Sequence, residues 1–128
     1  MKRTLILLSI FLVFTSCSDL STFPENDNTY REVAYNSLSN QEKETLTVDW
    51  KVGRVDEGIY KKKDDNDILE LSSGAKLYFL SRVETEYLRD GYKLFAVSFN
   101  TKYDALIGPI IVIVDPYLKQ AIGGGGRL

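Results

Sequence analysis

Asp64, Asp65 and Asp67 are the densest group of chemically useful side chains in the sequence, three carboxylates within four positions. A calcium loop would need oxygen ligands at alternating positions, a glycine at the sixth and a glutamate at the twelfth. A loop begun at Asp65 has Glu70 at its sixth position and Lys76 at its twelfth. With Lys61, Lys62 and Lys63 directly before it, the stretch reads as a solvated charged turn. A carboxylate pair for glycoside hydrolysis is assembled by the fold and not by spacing. The acids near the expected strands, Glu70, Glu84 and Glu86, read as outward or edge positions that blunt sheet edges.

No histidine occurs in the 128 residues. Its absence removes Ser-His-Asp and Cys-His nucleophile systems, imidazole acid-base chemistry and His-containing metal sites. One cysteine, Cys17, leaves no intrachain disulfide and no cysteine-based zinc cluster. Serines are plentiful, but there is no Gly-x-Ser-x-Gly elbow and no histidine to activate one. Gly123 to Gly126 lacks the Lys-Ser/Thr and the following helix of a phosphate loop, so it reads as a flexible tail. Tyr78, Tyr87, Tyr92 and Tyr103 lie on or near expected strands and loops. They read as ordinary strand residues, with an aromatic recognition surface as the alternative. The residues therefore imply no catalytic site, no cofactor and no metal.

The first sixteen residues carry a different message. Lys2 and Arg3 precede Leu5 to Phe14, an apolar run broken only by Ser9. Ten residues are about half of the ~20 that a helix needs to cross a bilayer core. The length suits the h-region of a secretory signal. Phe14-Thr15-Ser16-Cys17 then resembles the lipobox of bacterial lipoproteins, with Phe where Leu is commoner three places before the cysteine. The resemblance implies that Cys17 is lipidated, that residues 1–16 are removed, and that the protein is lipid-anchored at a bacterial cell membrane, facing outside the cytoplasm. Two alternatives remain: an ordinary cleaved signal leaving a secreted protein with one free thiol, or an uncleaved anchor. A lipid anchor gains about 0.8 kcal/mol per buried methylene, so two chains hold where one is marginal.

Removing residues 1–16 takes Lys2 and Arg3 away and leaves fourteen cationic against eighteen anionic side chains, a formal charge of −4. That balance excludes nucleic acid as an expected partner and leaves little for a polybasic grip on anionic lipid.

The remaining chain must position whatever surface it uses. Residues 17–28 read as the lipidated cysteine and a flexible tether containing Pro24. Residues 29–122 read as one domain, and 123–128 as the Gly-rich tail. Thr29-x-x-Glu32 and Ser39-x-x-Glu42 are capping-box patterns, each opening a helix, the second running to about Val48. Strand character begins at Trp50, with Gly53 and Gly58 marking a bend or bulge. Ile68 to Leu71 is a short apolar piece. Ala75 to Glu84 alternates, with Leu77 and Phe79 on one side and Tyr78 and Leu80 on the other. Asp90-Gly91 predicts a hairpin between that strand and the next, Tyr92 to Asn100, where Phe95, Val97 and Phe99 share a face. Ile110 to Val114 is a β-branched run that buries both faces.

Helices first and strands after them predict an α+β fold. One or two N-terminal helices would pack on an antiparallel sheet of four or five strands, with Trp50 and the phenylalanines between. A β-barrel closed on itself is the alternative. Val112-Ile113-Val114-Asp115-Pro116, followed by Ile122-Gly123, resembles the closing strand and turn of PepSY-type domains, small α+β modules of cell-envelope proteins and protease propeptides. Leu118-Lys119 replaces the Thr-Gly usual there, and the resemblance implies no functional residue. The functional expectation is a membrane-anchored, non-catalytic binding or inhibitory module. The alternatives are an accessory subunit of another envelope protein and a small carboxylate-based hydrolase.

Overall fold

The computed structural model describes residues 27–82 and 86–127. Cys17, the signal and the tether expected at 1–28 lie outside the described residues, apart from Asp27 and Asn28. Those two open α1 (Asp27–Asn36), which begins two residues before the expected Thr29. Tyr30, Ala34 and the following Leu38 recur at helical spacing and are buried on one face. The capping box at Ser39 forms as expected and opens α2 (Asn40–Thr45). Ser39 Oγ accepts from the Glu42 N–H at 3.1 Å, and Glu42 Oε1 accepts from the Ser39 N–H at 2.9 Å. The helix stops three residues short of Val48, because Leu46 turns extended and bridges to Thr101. Trp50–Val52 is a short 3₁₀ turn, not the start of a strand, and Asp49 caps it.

Among the described residues six strands follow: β1 (Arg54–Lys63), β2 (Asn66–Leu71), β3 (Lys76–Arg82), β4 (Lys93–Phe99), β5 (Ile110–Asp115) and β6 (Gln120–Arg127). A short helix, α3 (Asp104–Ile107), stands between β4 and β5. All neighbouring strands are antiparallel, and the order β1-β2-β3-β6-β5-β4 closes on itself as a barrel. The expected α+β sandwich is therefore wrong, and the barrel alternative is the architecture observed. The helix-on-sheet layout implied by the PepSY resemblance gives way with it.

The reason lies in β4 and β5, which are apolar on both faces. Leu94, Ala96, Ile111 and Ile113 point into the barrel, where they meet Tyr60, Leu69, Leu71 and Leu77. Phe95, Val97, Phe99, Val112 and Val114 point outward and are covered by Tyr30, Ala34 and Leu38 of the N-terminal segment. An open sheet under one helix would cover only the second set; curling it into a barrel buries the first. Trp50 belongs to the outer layer but only half-buried, stacked on Tyr35 with centroids 6.0 Å apart.

Two local devices make closure possible. At Gly58, β1 is paired with β2 on one side and β4 on the other, and it passes very close to β2. A Cβ there would lie 2.8 Å from Leu69 Cγ and 3.0 Å from the Glu70 carbonyl oxygen. The second device is the glycine run. Gly123 to Gly126 is not a tail: it is the centre of β6, paired with β3 on one edge and β5 on the other. The folded domain accordingly extends past residue 122 to Arg127.

The Asp90-Gly91 turn leads into β4, but β3 and β4 do not pair. Gly91 adopts φ 96°, and the backbone exchanges hydrogen bonds with β1 (Tyr60 N–H to Tyr92 O, 2.8 Å; Gly91 N–H to Tyr60 O, 2.9 Å). The preceding connection packs Leu88 into the barrel core. The tight two-residue turn sits elsewhere, at Asp64 and Asp65, whose φ angles of 51° and 67° suit a type I′ hairpin between β1 and β2.

Candidate functional site

The expected carboxylate cluster comes apart in the fold. Asp64 and Asp65 occupy the exposed hairpin turn, whereas Asp67 is buried and accepts from the Tyr60 hydroxyl at 2.5 Å. Among the described residues, no three carboxylate or cysteine side chains are placed to hold a metal ion. Glu70 faces outward as expected and Glu86 is exposed; Glu84 lies outside the described residues. The sequence also holds Ser73-x-x-Lys76, the spacing of Ser-Lys nucleophile systems, so such a pattern is not absent from the chain. It spans the β2–β3 turn, with Gly74 at φ 96° and Ser73 Oγ near the Ala75 N–H at 3.5 Å. Lys76 stands in register with Glu70.

The tyrosines divide. Tyr87 and Tyr92 converge, together with Tyr117, on Asp115, a carboxylate with 0% exposure at the end of β5. Asp115 Oδ2 accepts from the Tyr87 hydroxyl at 2.5 Å and the Tyr92 hydroxyl at 2.9 Å. Its Oδ1 accepts from the N–H groups of Tyr117 at 2.8 Å and Leu118 at 3.2 Å. The Tyr92 ring is edge-on to both Tyr87 and Tyr117. A carboxylate offers about four acceptor positions, and four donors occupy them. Burial, and then the hydrogen bond and charge of Asp115, push the Tyr92 phenol well above its usual range and keep it a neutral donor. This group is a latch tying the β3–β4 connection to the β5–β6 turn. Tyr78 and Tyr103 stand elsewhere, on β3 and beside α3, so the tyrosines form no common recognition face.

The arrangement with the properties of a binding surface is apolar and was not singled out by residue type. Leu80, Leu106 and Ile107 are 73%, 83% and 79% exposed, far more than large aliphatic side chains usually are. Leu80 and Ile107, with Pro109 and Ile110, wall a groove of about 450 Å³ whose floor is Gly124, Gly125 and Gly126. A Cβ at Gly126 would lie 2.7 Å from Leu80 Cδ1, and one at Gly125 would meet Ile111 and Ile113, so glycine there lets Leu80 lie against the strand. Shallower depressions continue from it past Ile110 toward Leu38 and Tyr103. Among the described residues, Glu42 is the only charged one lining the groove.

The wall is held in place by a compact turn. Asp104 Oδ1 accepts from the Thr101 N–H at 2.8 Å and its hydroxyl at 3.1 Å, and Gly108 at φ 80° ends α3. Leu106 and Ile107 are thus presented by structure. The one sequence signal was an adjacent apolar pair in a polar stretch, without a periodic partner to bury it. Among the described residues, no helix is long and apolar enough to cross a membrane. No protein-family model, curated protein or solved structure matches the chain.

Proposed function

We propose that this protein is a non-catalytic binding module, held at a bacterial envelope membrane by lipid on Cys17, and that it takes another envelope protein on the β6 groove. The observation that carries the reading is the apolar wall of Leu80, Ile107, Pro109 and Ile110 beside a glycine floor, with Leu80 and Ile107 mostly exposed. Exposed contiguous apolar surface of this kind marks interaction sites in soluble domains. An extended apolar segment of a partner suits the groove, because its single carboxylate gives little to a charged one. A hydrolase would need a free acid-base pair. Its best buried carboxylate, Asp115, is instead fully engaged by four donors. An accessory-subunit role differs only in the permanence of the same contact.

The test places a photoactivatable cross-linking side chain at position 107 in the full-length, membrane-localised protein. A discrete adduct that Leu80→Asp abolishes is expected, with the same side chain at exposed position 65 giving none. Equal adducts at 107 and 65 would remove the groove from the account. Cys17→Ala tests the anchor separately: the variant should leave the membrane fraction, and its retention there would remove the lipid.

A further inference from the structure

A second concavity lies on the outer face of β1, β2 and β3, away from the groove, and its chemistry is the opposite. In register, Lys61 faces Ile68 and Ile68 faces Tyr78, while Glu70 faces Lys76. The depression these side chains enclose is about 410 Å³, within the range of small-molecule sites. Ile68 forms its base, 6% exposed although it points away from the barrel core. Lys61 Nζ is 3.0 Å from Glu70 Oε1. That hydrogen bond, with the charges of Lys61, Lys76 and Lys63, holds the Glu70 carboxyl below its usual range. One carboxylate is thereby surrounded by three ammonium groups. Among the described residues, Lys62, Lys63 and Lys76 have no ion pair within 4.0 Å. The other acids at the rim are Asp64, in the hairpin turn, and Asp90, whose Oδ1 accepts from the Lys62 N–H at 3.0 Å.

We infer that this depression binds a small hydroxylated ligand bearing one anionic group, the chemistry of an acidic or phosphorylated monosaccharide. Lys63 and Lys76 supply the charge that meets the anion, by charge-assisted hydrogen bonds. Glu70, already paired with Lys61, keeps an acceptor oxygen for ligand hydroxyls, and Asn66 adds both a donor and an acceptor. Tyr78, half-buried beside the nearly closed Ile68, gives the apolar face on which the C–H face of a sugar ring rests. A fully anionic ligand would be repelled by Glu70, Asp64 and Asp90, and a neutral one would leave Lys63 and Lys76 unmatched. The site is independent of the β6 groove, so either can fail without the other.

The test is an amide-resolved NMR titration of the full-length protein with four probes: galacturonate, glucose 6-phosphate, glucose and inorganic phosphate. Both anionic sugars should shift the amides of Lys61, Ile68, Glu70, Lys76 and Tyr78, with glucose causing no saturable change. Lys76→Glu should weaken binding about tenfold or more, as loss of a charge-assisted hydrogen bond implies, and Lys76→Arg should retain it. Either variant must give an otherwise unchanged spectrum, since Lys76 is exposed at the start of β3. Absence of saturable shifts with either anionic sugar, or equal shifts from glucose, would overturn the site. Inorganic phosphate binding as tightly as glucose 6-phosphate would overturn the sugar as its ligand.

Discussion

Asp115 shows how one side chain can organise one end of the barrel. Its two oxygens are divided between two phenols and two backbone N–H groups, so an isosteric amide cannot replace it. Whichever way a carboxamide at this position turned, its NH₂ would meet two donors. Asp115→Asn should therefore cost about 2–4 kcal/mol in urea unfolding, against about 1 kcal/mol for Tyr87→Phe or Tyr92→Phe, which remove one donor each. Equal losses for all three would mean that the carboxylate is not the hub. A pH dependence follows from Tyr92. Its folded pKa lies above the unfolded value near 10, so the unfolded chain loses that proton first. The stabilisation is complete below about pH 10 and declines as pH rises beyond it. The stability advantage of the wild type over Tyr92→Phe should hold up to about pH 9 and shrink as pH rises from about 10 to about 12. A constant difference across that range would place the phenol in an ordinary environment. None of this was legible beforehand: Asp115 stood in the sequence as a strand terminator before Pro116, and three tyrosines at separations of five and twenty-five residues carry no spacing signal.

At the scale of elements, the strands were far more legible than their pairing. Period-two alternation located β3 and β4, and the β-branched run located β5, because each follows from side chains meeting a core on a pleated strand. The hairpin assigned to Asp90-Gly91 failed because a turn dipeptide specifies a local bend but not the edge to which the next strand returns. β4 needed cover on both faces, and the available edge was that of β1. The two glycine positions behave differently under substitution. Gly58→Ala drives a methyl into buried Leu69 and a backbone carbonyl, and should destabilise by about 1–3 kcal/mol. Gly126→Ala meets only Leu80, 2.7 Å away but 73% exposed and able to turn aside, so its cost should stay below about 1 kcal/mol. Chemical denaturation of both variants checks the order; a larger cost at Gly126 would mean that Leu80 is fixed in place.

The whole molecule is a barrel whose last strand is half glycine, and that feature shapes its surface. β6 lies between β3 and β5, and its glycines let Leu80 lie against the strand on the outer surface, beside the α3 turn. Four consecutive glycines give no hydrophobic period, so sequence reasoning had only their backbone freedom to go on and took them for an unstructured end. The groove went unseen for the same reason. The most direct measurement is native-state hydrogen exchange on the glycine amides, read by NMR after selective glycine labelling. In a closed barrel, those of Gly123 to Gly126 that donate to β3 or β5 exchange orders of magnitude more slowly than an unstructured peptide, near the rate set by global unfolding. Exchange of all four at the free-peptide rate would leave the barrel open and the groove without a floor.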